Sequence, residues 1–99
     1  VHQNYFADSR YSGAQVFCME PETNVLAQQL QQAFANTGSQ RGVKTAKGIY
    51  LMEHVDRTAV LIECGFLSNA KEEALLRSAD YQKKLCAIIG STVNRYLNT

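Results

Sequence analysis

A chain of 99 residues, 45% hydrophobic and 19% charged, has the size and makeup of one globular domain. Its 10 Lys and Arg against 9 Asp and Glu leave a net charge of +1, which gives no electrostatic basis for binding nucleic acid or an anionic membrane surface. No apolar run approaches the roughly 20 residues that span a bilayer, so no transmembrane segment is expected. The three cysteines, Cys18, Cys64 and Cys86, have neither C-x-x-C spacing nor an even count, and read as small buried apolar residues.

The chain opens Val1-His2-Gln3-Asn4, without an initiator Met, as though inside an element. Residues 14–18, Ala-Gln-Val-Phe-Cys, read as a short strand after the turn signal Ser12-Gly13. Beyond Pro21, the residues Leu26, Leu30, Ala33 and Phe34 fall at i, i+4, i+7 and i+8. That spacing predicts a helix with four glutamines on its other sides and Gly38 placed to stop it. Two apolar runs follow, Ile49-Tyr50-Leu51-Met52 and Ala59-Val60-Leu61-Ile62, each suited to a strand buried on both faces. Gly65 is expected to end the second in a turn, and Asn69 with Glu72 resembles a capping box. Ser78 can cap a last helix in which Tyr81, Leu85, Ile88, Ile89, Val93 and Tyr96 keep a helical period. The pattern is α/β, one sheet with helices on both faces. A doubly covered sheet usually has about five strands, so this one is expected to lack its N-terminal strands.

Among residues that can carry chemistry, Glu63 follows four apolar residues, at the expected carboxyl end of a buried strand. Open α/β sheets bind ligands at that edge. A carboxylate partly withdrawn from water there suits proton exchange, although pairing with an Arg or Lys would be a structural alternative. His2 could offer a neutral imidazole to a metal or be a satisfied structural residue, and His54 reads as a solvated histidine in a loop between two strands. Cys64 could in principle be a nucleophile. Adjacent strand residues point to opposite faces, however, so Cys64 and Glu63 cannot share one cleft.

The segment Thr58-Ala59-Val60-Leu61-Ile62-Glu63-Cys64-Gly65-Phe66-Leu67-Ser68-Asn69 resembles the glutamate motif of N-acetylmuramoyl-L-alanine amidases of the amidase-3 type. That motif runs apolar stretch, Glu, any residue, Gly-Phe-Leu/Ile-Ser/Thr-Asn, usually with Pro where this chain has Thr58. Val1-His2-Gln3-Asn4 resembles the family's His-x-Asn signature. Ser12-Gly13-Ala14-Gln15-Val16-Phe17 and Arg41-Gly42-Val43-Lys44 match in order between the two. Tyr50-Leu51 and Glu63-Cys64-Gly65-Phe66 look closest to sporulation and germination amidases.

The resemblance implies an α/β hydrolase sheet carrying a Zn2+ site, with residues 1–99 as the C-terminal portion of the catalytic domain. His2 matches a zinc ligand, Glu63 the catalytic glutamate, and Asn4 a residue of site architecture. The family's Gly-His-Gly-Gly ligand motif and its glutamate ligand have no counterpart in these residues. The implied reaction is hydrolysis of the amide between N-acetylmuramic acid and L-alanine in peptidoglycan, in the extracytoplasmic cell envelope. A non-catalytic peptidoglycan-binding or regulatory module is the alternative, and self-association through an exposed sheet edge is a further expectation.

Overall fold

The computed structural model describes residues 2–4, 13–35, 42–66, 74 and 76–98. The expected Gly38 stop and the Asn69–Glu72 cap lie outside them. Four strands, β1 (His2–Asn4), β2 (Gln15–Cys18), β3 (Lys44–Thr45) and β4 (Leu61–Phe66), form one sheet in the order β1-β4-β2-β3. β4 runs parallel to β1 and antiparallel to β2, and β3 runs parallel to β2. The helices are α1 (Val25–Phe34), α2 (Tyr50–Glu53) and α3 (Ala79–Leu97).

Strand alternation divides the central pair into two faces. Val16 and Ile62 are register partners on one face, where Cys18 and Cys64 join them. Ala27, Leu30 and Phe34 of α1 and Leu85 of α3 close over that face as one core. Burying each such large aliphatic or aromatic side chain contributes about 2 kcal/mol, so α1 and α3 are held chiefly by this stripe. The opposite face carries Gln15, which is wholly buried, and Phe17, Leu61 and Glu63, which are half-buried. Helices α1 and α3 thus pack on the first face, while the second is only partly withdrawn from solvent.

The caps follow the sequence. Asn24 Oδ1 accepts from the Ala27 amide at 2.9 Å, and Ser78 Oγ accepts from the Tyr81 amide at 3.4 Å, satisfying donors that the first turns of α1 and α3 leave free. Gly13 opens β2 with φ +86°, a conformation that a side chain would strain.

Four expectations need correction. Residues 50–53, with Ile49 as N-cap, form α2 where a strand over 49–52 was expected. The outer side of β2 is already occupied by Lys44–Thr45, and the Ala46 amide extends that pairing by donating to Cys18 O at 2.7 Å. The run instead closes bonds within itself: Glu53 N–H reaches Ile49 O, and the Glu53 carboxylate accepts from Gly48 N. His54 accordingly ends a short helix instead of joining two strands.

Second, β4 begins at Leu61 and runs through Gly65 to Phe66, so Gly65 makes no terminal turn. His2 pairs with Glu63 and Asn4 with Phe66, two residues of β1 against three of β4. The extra residue is a bulge at Cys64–Gly65, a device common beside active sites. Third, Glu63 is consequently the third of six strand residues, not the last.

Fourth, one of the four α1 glutamines does not face solvent. Gln31 is 5% exposed, and its carboxamide lies along the β2 edge. Its Oε1 accepts from Val16 N at 2.8 Å and its Nε2 donates to Ala14 O at 3.0 Å. These are the two bonds a neighbouring backbone amide would make, so the side chain stands in for a strand that β3 is too short to supply.

Thr92 is buried in α3, and its Oγ1 has no hydrogen-bond partner among the described residues. A buried hydroxyl left unpaired costs about 1–3 kcal/mol. Thr92→Val keeps the shape and removes that penalty. It is expected to raise stability by about 1 kcal/mol, a melting-temperature gain of about 4–8 °C for a domain of this size, readable by calorimetry.

Candidate active site

Register brings three residues into one row across the sheet: His2 on β1, Glu63 on β4 and Gln15 on β2. His2 and Glu63, sixty-one positions apart in the chain, are direct parallel-strand partners. The pairing brings together two candidate residues that the sequence presents at opposite ends of its motifs. Glu63 sits on a strand flanked on both sides, so its backbone is fixed by two ladders and by the core under Ile62 and Cys64.

Its side chain is half-buried, and Oε2 is enclosed without a hydrogen-bond partner among the described residues. Buried carboxylate oxygens nearly always have a donor, so an orphaned one marks a place where a water, a substrate N–H or a cation belongs. Gln15 is spent elsewhere. Its Nε2 donates to Gly42 O at 2.6 Å and lies 3.3 Å from Gln31 Oε1, tying β2 to the approach to β3 and to α1. Nothing in the sequence marked Gln15 as the far neighbour of Glu63, because only strand order decides it.

The remaining candidates separate cleanly from this row. Cys64 points into the core, where burial raises its thiol pKa, and Glu63 and Cys86 add smaller upward pushes. A buried, protonated thiol on the face away from Glu63 is no nucleophile for this cleft. Cys18 is raised for the same leading reason, burial. His54 is exposed at the end of α2, its ring stacked on Tyr50 at 4.0 Å and its Nδ1 2.8 Å from the Tyr50 carbonyl that accepts from it. It takes no part in the row.

For a zinc ion, imidazole nitrogen and carboxylate oxygen are suitable donors, but a catalytic site takes three protein ligands. No group of three or more His, Cys, Asp or Glu able to hold a metal occurs among the described residues. The His2 position, on the strand next to Glu63, offers one donor of a suitable type. A separate cleft of about 460 Å³ lies between the start of α1, α2 and the end of α3. It is bordered by Met19, just after β2, and Ala59, just before β4. Because β2 and β4 are antiparallel, both mark the sheet end away from Phe66. The row and the cleft are distinct places.

A mixed α/β sheet sets the half-buried Glu63 carboxylate on the strand next to His2. The chain belongs to the N-acetylmuramoyl-L-alanine amidase family: the family's Amidase-3 sequence profile matches residues 1–95. It is 35% identical over 102 residues to the germination-specific N-acetylmuramoyl-L-alanine amidase of Bacillus subtilis, covering 97% of this chain and 42% of that protein. It is 32% identical over 103 residues to the amidase LytC of the same organism, covering 97% and 21%.

Among solved structures it resembles the CwlD amidase of Clostridioides difficile, determined in complex with the GerS lipoprotein. The TM-score is 0.87 and the identity 36%, with 97% of this chain and 51% of that one covered. The catalytic domain of CwlV from Paenibacillus polymyxa superposes with TM-score 0.84 at 30% identity, covering 97% and 54%. The chain thus spans about half the length of these structures, and less of the two Bacillus relatives.

Proposed function

We propose that this chain contributes the proton-transferring carboxylate and one metal-ligand position of a zinc-dependent peptidoglycan amidase. The bond cut is the amide between the lactyl group of N-acetylmuramic acid and L-alanine. The observation that carries the proposal is the orphaned Oε2 of Glu63, set on the strand directly beside His2, in a chain of this family.

His2 would hold the zinc together with ligands outside the described residues. Bound zinc would supply Lewis acidity and a water of lowered pKa. Glu63 has a free buried oxygen with which to take a proton from the attacking water. It then returns that proton to the alanine nitrogen as the carbon–nitrogen bond breaks, leaving a lactyl carboxylate and a free amine. Ladders on both sides of β4 hold the backbone that carries Glu63. A role in spore germination and an extracytoplasmic location accord with the B. subtilis relative's name and with a wall substrate. A lipoprotein partner accords with the C. difficile complex.

The test uses the enzyme that carries this chain, incubated with purified peptidoglycan. New L-alanine amino termini are expected to appear, to stop on removal of metal by a chelator and to return with zinc. Retention on peptidoglycan with no new amino termini, with zinc present, would overturn the proposal in favour of a binding module.

A further inference from the structure

Gln15 is the antiparallel register partner of Glu63, and such partners point to one face with Cβ atoms about 4.5–5.5 Å apart. It is wholly buried, although glutamine is mostly a surface residue. Proton transfer at Glu63 does not use it. The orientation of its amide is set by its surroundings. Three oxygens stand around Nε2: Gly42 O at 2.6 Å, Val16 O at 3.1 Å and Gln31 Oε1 at 3.3 Å. Turning the amide over would press its oxygen against all three, so the nitrogen belongs there. Nε2 carries two hydrogens, and these acceptors occupy both. Gly42 leads into β3, which lies across β2 from β4, so the donor is drawn away from Glu63.

On the other side of the pair, Glu63 Oε2 is enclosed and has no hydrogen-bond partner among the described residues. A primary amide on the next strand is the kind of donor that ordinarily satisfies such an oxygen. Here that donor is committed elsewhere. Gln15 fills space beside the carboxylate and donates nothing to it.

We propose that Gln15 is a positioning residue for amide cleavage: its buried side chain closes one flank of Glu63 while its donor is locked on Gly42 and Gln31, leaving Oε2 open to the attacking water alone. The inference rests on the proton-transfer reading of Glu63. A donor bonded to Oε2 from the Gln15 side would hold the carboxylate in the ground state and have to be released before the proton is taken, which raises the barrier.

Two substitutions separate this role from simple packing. Gln15→Asn shortens the side chain by one methylene, so its amide no longer reaches Gly42 O, and the flank of Glu63 admits a donor, its own Nδ2–H or a water. Gln15→Met fills the flank and has no donor to give. Both lose the bond to Gly42 O, so both are expected to lower the melting temperature by similar amounts. In the enzyme that carries this chain, Gln15→Asn is expected to lower kcat for release of L-alanine amino termini on the order of tenfold at nearly unchanged KM. Gln15→Met, equally destabilised, is expected to keep kcat within about threefold of the parent. Gln15→Leu also fills the flank without a donor and takes its place if the Met variant does not fold. Crystal structures are expected to show a new donor within about 3.2 Å of Glu63 Oε2 on the Gln15 side in Gln15→Asn, and none there in the parent or in Gln15→Met.

A loss of kcat in Gln15→Met as large as that in Gln15→Asn would overturn the inference, since the two differ in the donor and not in the lost bond. So would parent-like kcat in Gln15→Asn, or a crystal structure of it with no new donor beside Oε2. A parent enzyme that releases no amino termini overturns the proposed function and this inference with it, whereas failure confined to the Gln15 variants overturns this inference alone.

Discussion

Glu63→Gln is expected to reduce amide cleavage by about 10²–10⁴-fold, the usual contribution of a positioned general acid–base group. The substitution preserves size and leaves the β4 ladders and the core under Cys64 untouched. It replaces a carboxylate able to carry a proton by an amide that cannot. The loss should fall on kcat, with KM nearly unchanged, because a proton shuttle acts in the transition state rather than in holding substrate. Stability should stay level or rise slightly, since a half-buried charge with an unpartnered oxygen gives way to a neutral group. Release of L-alanine amino termini and a thermal melt, measured on the same preparation, check both halves. A variant that keeps more than about a tenth of its kcat would remove Glu63 from the role proposed for it.

Gln31→Leu is expected to be the most damaging exchange for the fold. It removes the bonds that Gln31 makes to the buried Val16 amide and to the Ala14 carbonyl, and losing a buried bond of this kind costs about 1–3 kcal/mol. It also withdraws the acceptor next to Gln15 Nε2. A loss of about 3 kcal/mol is expected. At about 4–8 °C per kcal/mol for a domain of this length, that lowers the melting temperature by about 12–24 °C.

Gln31→Glu separates the two bonds. The carboxylate can still accept from Val16 N–H but cannot donate to Ala14 O, and burial disfavours its charged form. Its folded pKa therefore lies above the unfolded value of about 4.3, and the group titrates against stability. Below the unfolded value both states are protonated, so the acid can donate and the variant is closest to the parent. As pH rises through the folded value, the unfolded chain ionises more readily and stability is lost. Denaturant melts across that range, compared with the parent protein, read the sign directly.

The sequence by itself determined a good deal here. Helices α1 and α3 were legible because their apolar residues repeat with the helical period, and Asn24 and Ser78 cap them through local bonds that need no distant partner. Ser78 was legible as a cap from the sequence, whereas Asn24 was recognised only in the structure. β2 was legible from Gly13 and a short apolar run. Glu63 and His2 were legible as candidates because the residues around them match a family motif, a signal of side-chain identity rather than of geometry.

The tertiary structure decided the rest, wherever the outcome depended on which strand lies beside which. Residues 49–52 carry the composition of a strand, yet Lys44–Thr45 pairs with β2 and residues 50–53 form α2. Gln31 has the polarity of a surface residue, but it is buried and its amide bonds the Val16 amide and the Ala14 carbonyl along the β2 edge. Glu63 moved from the expected end of a strand to its middle, where register set it beside His2 and left one oxygen unsatisfied. Hydrophobic period and cap chemistry are local and can be read along the chain. Strand order, edge vacancy and an orphaned atom belong to pairs of segments far apart in sequence, and exist only once the chain has closed on itself.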